Sequence, residues 1–230
     1  MSETLPPAPA GFPDAPATFA LPGPAGTLEV ATAVPEPGQA RTGTAVICHP
    51  NPQQGGTMRN KVVTMLERAF RESGLATVRF NFRGIGASTG AFDHGDGESG
   101  DLVAVTQWVR QVRPGNALWL GGFSFGSYIA LRSARSLGAD ALVTVAPPFG
   151  RYEFGELAMP SCPWLVVQGE DDEVVDPQGV FGWIETLDPK PVLVRMPETG
   201  HFFHRRLMDL RGAVKNGIRA WLPPLVGGRA

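Results

Sequence analysis

The chain reads as an α/β fold, a largely parallel sheet covered by helices, and three observations point there. Apolar runs such as Gly43-Thr44-Ala45-Val46-Ile47-Cys48 lack polar alternation, as strands buried on both faces do. Stretches with apolar residues at helical spacing separate these runs again and again. One run, Ala117-Leu118-Trp119-Leu120-Gly121, turns through Gly122-Phe123-Ser124-Phe125-Gly126 straight into a helix-like pattern. A strand that becomes a helix this abruptly holds its corner residue in strained backbone with the side chain thrust outward. Gly122 and Gly126 omit the Cβ atoms that would collide across the corner. The spacing therefore predicts Ser124 as a nucleophile at the carboxyl end of a strand, where parallel sheets bind ligands.

In chain order, residues 1–16 are rich in Pro and Ala and read as a flexible N-terminal arm ahead of a single domain spanning 17–230. Ala17 to Leu21 and Thr27 to Val34 read as strands joined by Pro22-Gly23-Pro24-Ala25-Gly26. After the Cys48 strand and the loop His49-Pro50-Asn51-Pro52-Gln53-Gln54-Gly55-Gly56, Thr57 is placed to cap a helix with Val62, Leu66, Ala69 and Phe70 inward, ending at Gly74. Leu75 to Phe82 is a strand, and Asp101 to Val112 a helix with Leu102, Val105, Trp108 and Val112 on one face. The helix after Ser124 runs to Gly138. Ala141 to Ala146 and Trp164 to Gln168 are further buried strands. Asp176-Pro177 opens a helix with Asp as cap and Pro in the first turn. Pro191 to Met196 is the last strand, and Leu207, Leu210, Val214, Ile218 and Trp221 mark a closing amphipathic helix.

Composition narrows the function classes. With 43% hydrophobic and 18% charged residues and a net charge of −2, the chain is that of an ordinary globular protein, with no basic excess for nucleic acid. Its apolar runs are too short to cross a membrane, and no basic region followed by an apolar core marks a secretory leader. The expected setting is the cytoplasm, as a monomer or homodimer, with Cys48 and Cys162 as free thiols in apolar surroundings. No His-x-x-x-His or Cys-x-x-Cys spacing suggests a metal. Gly84-x-Gly86 carries Thr89 where a dinucleotide fingerprint needs its third glycine, so no cofactor is expected.

A serine needs a base, and the base an orienting acid. Of the four histidines, His49 follows an early strand and reads as structural, His94 lies in a Gly-rich loop, and His204 belongs to the closing helix. His201 follows the last strand directly, behind the hinge Gly200, and is the expected base. Glu170, Asp171, Asp172, Glu173 and Asp176 crowd the end of the Trp164 strand. Between Asp171 and Asp172, the spacing Gly169-x-x-Asp172 favours the latter. For the oxyanion, one donor is the N–H of Phe125. The other belongs to the loop after Cys48, where Pro50 and Pro52 have no N–H and Asn51 does.

Taken together, the order Ser124…Asp172…His201 and Asn81-Phe82-Arg83-Gly84-Ile85-Gly86-Ala87-Ser88 resemble the α/β-hydrolase superfamily. His49-Pro50-Asn51-Pro52 with Gly55-Gly56-Thr57-Met58, Arg79-Phe80-Asn81-Phe82-Arg83-Gly84 and His201-Phe202-Phe203-His204 narrow the resemblance to a small bacterial group. Its members are lidless predicted hydrolases related to dienelactone hydrolases and short-chain esterases. The resemblance implies an eight-stranded, mostly parallel sheet with its second strand antiparallel. It also implies a Ser124–Asp172–His201 triad and Asn51 in the oxyanion position. Dienelactone hydrolases use a cysteine where this chain has Ser124, so lactone chemistry does not carry over. Pro147 to Pro163 is too short for the helical cap of lipases. Phe149, Tyr152 and Phe154 on one side, and Phe125, Phe202 and Phe203 on the other, are the expected walls of a cleft for a small ester substrate. An aminopeptidase or amidase would use the same triad, and a non-catalytic ligand-binding protein could keep the fold.

Overall fold

The computed structural model describes residues 4–227, along which strands and helices alternate. The strands are β1 (Ala17–Gly23), β2 (Gly26–Ala33), β3 (Gly43–Cys48), β4 (Ala76–Phe80), β5 (Ala117–Phe123), β6 (Ala141–Val145), β7 (Trp164–Gly169) and β8 (Val192–Met196). They form one eight-stranded sheet in the order β1-β2-β4-β3-β5-β6-β7-β8. β2 runs antiparallel to both neighbours, and every pairing from β4 to β8 is parallel. The helices are α1 (Lys61–Glu72), α2 (Asp96–Val112), α3 (Phe125–Ala134), α4 (Pro177–Glu185) and α5 (Leu207–Gly217).

Two-faced burial follows from alternation along the strands. In β3, Val46 and Cys48 pack into the core beneath α2, α3 and α4, while Ala45 and Ile47 pack into the core beneath α1 and α5. Both cysteines are free, and burial pushes the Cys48 thiol well above its ordinary value, which keeps it protonated and inert. Among the described residues no helix is long and apolar enough to cross a membrane.

Some boundaries differ from expectation. Asn60, not Thr57, caps α1, its side chain accepting from the Val62 N–H at 2.9 Å. Thr57 instead shapes the preceding turn, accepting from the Arg59 N–H. α2 begins at Asp96, ahead of the expected Asp101, because Glu98 reaches back to accept from the Gly95 N–H at 2.7 Å and satisfies that helix-end donor. The glycines of Asp96-Gly97-Glu98-Ser99-Gly100 disguise this turn as loop, and Gly97 is needed because the Arg83 guanidinium occupies the space of a Cβ. The segment expected as a flexible arm is tied down within its described part. Pro6 accepts a hydrogen bond from the Ala20 N–H at 2.8 Å, and Phe12 stacks on Trp108 beneath the Arg113 guanidinium.

No helix lies between β6 and β7, so nothing of a cap covers the carboxyl ends of the strands there. The site is open from above.

Candidate active site

The corner after β5 has the expected strain. Ser124 sits at φ 52°, a left-handed conformation that a residue with a Cβ rarely adopts. Its N–H donates to the Val145 carbonyl at 2.9 Å, and its own carbonyl accepts from the Ser127 N–H at 2.8 Å. A Cβ on Gly122 would strike the Gly126 carbonyl, and one on Gly126 would strike the Cys48 carbonyl, so both glycines are sterically required.

From this corner a continuous hydrogen-bond chain runs inward. Ser124 Oγ lies 3.1 Å from His201 Nε2, and His201 Nδ1 lies 2.8 Å from Asp172 Oδ2. A carboxylate oxygen only accepts, so Nδ1 carries the proton and Nε2 is left to accept from the serine hydroxyl. Asp172 Oδ1 accepts from the Val174 and Val175 N–H groups at 2.9 and 2.7 Å. Burial pushes the Asp172 carboxyl up. The hydrogen bond from His201 and those from the Val175 and Val174 N–H groups outweigh burial and hold it below the ordinary carboxylate value. It stays ionised opposite the imidazole.

Residues that sequence reasoning passed over complete this framework. Gln168, fully buried at the end of β7, donates through Nε2 to Asp172 Oδ2 at 2.9 Å. That fixes the same oxygen that faces His201. A glutamine ending the apolar run Trp164-Leu165-Val166-Val167 was a signal in itself, since a buried amide needs a partner. Glu173, on the turn after Asp172, accepts the His201 backbone N–H at 3.0 Å and so ties the histidine loop to the acid loop.

The loop after β3 is folded back on itself. Asn51 uses its side-chain oxygen on the Gln53 N–H at 2.8 Å and its carbonyl on the Gly56 N–H at 3.0 Å. Its backbone N–H is not consumed in that fold. The N–H of Phe125, in the first turn of α3, has no carbonyl a turn behind it to bind. Asn51 lines the cleft beside Ser124, and Phe125 directly follows Ser124 in the chain, its ring buried in the core.

His49 braces this loop and stands outside the chain of proton acceptors. Its Nδ1–H donates to the Pro50 carbonyl at 2.7 Å, and its Nε2 accepts from the Phe82 N–H at 3.0 Å, so the ring is neutral. Burial lowers its pKa, and the Pro50 hydrogen bond offsets part of this, leaving it at about 4. An unfolded histidine takes up its proton near pH 6.5, so between about 6.5 and about 4 the unfolded chain binds more protons. Stability present above that window is lost as pH falls through it, by up to about 1.4 kcal/mol per pH unit from this residue. Replacing His49 by Gln should flatten the slope of unfolding free energy against pH between about pH 4.5 and 6 by close to that amount. Urea titrations of both proteins across the window check it, and equal slopes would refute the assignment.

A cleft of about 370 Å³ opens beside Ser124 and His201, walled by Pro50, Asn51, Gln54, Arg151, Glu173 and Phe202. Of the six aromatics expected around the substrate, Phe202 alone lies on this wall. Phe203 is fully buried in the core beneath α5, and Phe154 is buried between Tyr128 and Trp183. Tyr152 stacks on Tyr128 and Phe149 on Trp183, with ring centroids 4.8 and 5.3 Å apart. Covering these ring faces removes much apolar area from water, which outweighs leaving them to line an open cleft. The wall is mixed instead, with Pro50, Val174 and Phe202 beside Asn51, Gln54, Arg151 and Glu173.

Comparison with known proteins identifies the family of this fold. Residues 46–211 match the family model of an alpha/beta hydrolase domain. A crystal structure from Xanthomonas campestris, described as an α/β serine hydrolase without lid, is 54% identical, covers 94% of this chain and 99% of its own, and superposes with a TM-score of 0.91. An α/β serine hydrolase homologue from Coxiella burnetii is 43% identical over 90% of this chain and 99% of its own, with a TM-score of 0.86. An uncharacterized Rickettsia prowazekii protein is 29% identical over 74% of this chain and 76% of its own.

Proposed function

Because this chain belongs to the alpha/beta hydrolase domain family, among relatives described as serine hydrolases, we propose that it cleaves short-chain carboxylic esters through an acyl-enzyme. The observation that carries the reading is the unbroken line from Ser124 Oγ through His201 to Asp172, at 3.1 and 2.8 Å. Ser124 Oγ attacks the ester carbonyl carbon while His201 Nε2 takes the hydroxyl proton. Asp172 stabilises the imidazolium that forms. The N–H groups of Phe125 and Asn51 receive the negative charge that develops on the carbonyl oxygen. As the tetrahedral species collapses, the C–O bond to the alcohol breaks and His201 returns the proton to the leaving oxygen. Water, deprotonated by the same nitrogen, then attacks the acyl-enzyme and releases the acid and Ser124.

The restriction to short acyl groups rests on the absent helix between β6 and β7 and on a small cleft, about 370 Å³, with a mixed polar and apolar wall. Each further CH₂ that finds an apolar surface contributes about 0.8 kcal/mol, close to fourfold in kcat/KM. That gain should stop within about six carbons here, because longer chains extend into water. Measuring kcat/KM for p-nitrophenyl esters from acetate to palmitate tests the reading. A profile still climbing at about twelve carbons would refute the size limit. Failure of a fluorophosphonate to label Ser124 would refute the serine-hydrolase reading itself.

A further inference from the structure

The cleft beside Ser124 does not end at Phe202. A second depression of about 430 Å³ adjoins it, sharing Gly55, Asn60 and Phe202, and its outer wall carries Arg59, Lys61, His204 and Arg205 with no carboxylate among its lining residues. All four side chains are exposed. Arg59 meets one carboxylate, Glu29, at 3.5 Å while 78% of its side chain stays in solvent. Lys61 and Arg205 take no part in the ion pairs of the described residues. In the first cleft, the single carboxylate, Glu173, is engaged by the His201 N–H, and Arg151 adds a further cation.

This concentration does not reflect a basic protein, since the chain carries a net charge of −2. Nor does the fold call for all of it, since Arg59 faces the buried Glu29 but Lys61 and Arg205 face no carboxylate among the described residues. Arg59 and Lys61 flank the capping residue of α1, whose first turn holds no acid, so they sit where the helix dipole disfavours positive charge. Local choices that oppose stability beside a reactive serine point to a ligand. Exposed cations at the mouth of a cleft attract and hold an anion, and their effect fades with salt.

Building on the serine-hydrolase reading, we propose that the substrate is an ester that also carries a carboxylate or phosphate, held over Arg59, Lys61 and Arg205 while its carbonyl lies at Ser124. Only the ester bond reacts, with water, to give an acid and an alcohol, and the anionic group leaves unchanged on one of them.

Matched pairs test the idea on the full-length enzyme. In one pair, 4-acetoxybenzoate and its methyl ester, the charge sits on the leaving group. In the other, monoethyl adipate and ethyl hexanoate, it sits on the acyl group. Rates are normalised to hydroxide-catalysed hydrolysis. At about 0.01 M salt, at least one pair should favour the anion by about tenfold in kcat/KM, and the preference should vanish at about 1 M salt. In R59Q/K61Q/R205Q the anion-to-neutral ratio should fall toward one at low salt, with near-ultraviolet circular dichroism verifying the fold. Faster hydrolysis of the neutral member in both pairs, or a preference insensitive to salt in the unaltered enzyme, overturns the proposal while leaving the esterase reading standing. If none of these esters is hydrolysed and Ser124 resists fluorophosphonate, the esterase reading falls and takes the proposal with it.

Discussion

Replacing Ser124 by Ala should lower kcat for p-nitrophenyl acetate by about 10⁴-fold or more while the protein stays folded. The hydroxyl's contact is with His201 Nε2 at 3.1 Å, and it contributes almost nothing to packing. Alanine meets the same φ of 52° that serine already tolerates, so the substitution adds no backbone strain. The rate that survives would come from the oxyanion donors and from binding alone. Single-turnover kinetics beside a thermal melt check both halves of the expectation. Activity within tenfold of the parent enzyme would place the nucleophile elsewhere.

Asp172→Asn should cost nearly as much, about 10⁴-fold in kcat, through geometry and not through loss of fold. Both oxygens of Asp172 face donors. Oδ1 accepts from the Val174 and Val175 N–H groups, and Oδ2 accepts from Gln168 Nε2 and His201 Nδ1. An amide must turn its NH₂ toward one of these sets. Facing the two backbone groups, it breaks the turn after β7. Facing the histidine, it forces the proton onto Nε2, where it can no longer accept from Ser124. The neighbouring Asp171→Asn should change kcat by about twofold at most, because that side chain is exposed. Its hydrogen bond to the Thr199 carbonyl comes from the main chain and survives the substitution. A crippled Asp171→Asn beside an active Asp172→Asn would move the acid by one position.

The contrast between these neighbours shows what the sequence could carry. Ser124 was legible because two glycines beside a serine at a strand-to-helix corner have a steric meaning independent of the rest of the chain. The sheet was legible because uninterrupted apolar runs have few other uses in a chain of this charge. Asp172 and His201 were legible by their place after strands. Side-chain direction within a turn was not. Phe202 and Phe203 are adjacent and identical, yet the first is 44% exposed at the cleft and the second is fully buried. Which one faces inward depends on Phe203 adopting φ 51°, a left-handed conformation that no residue preference announces. Gln168 escaped notice for a related reason. Its value lies in touching Asp172 across a turn, a contact that spacing along the chain does not encode.

The latch of the N-terminal segment onto β1 has a consequence for solubility. β1 is an outermost strand, and an outermost strand offers unpaired N–H and carbonyl groups to any other chain that comes by. Here Pro6 takes up the Ala20 N–H, and Pro7 lies bridged to the same residue. Proline has no N–H of its own, so the segment that occupies the ladder cannot pass the pattern on to a further strand. The sheet is stopped by a residue that can receive but not extend it, and this side of the molecule is thereby guarded against edge-to-edge aggregation.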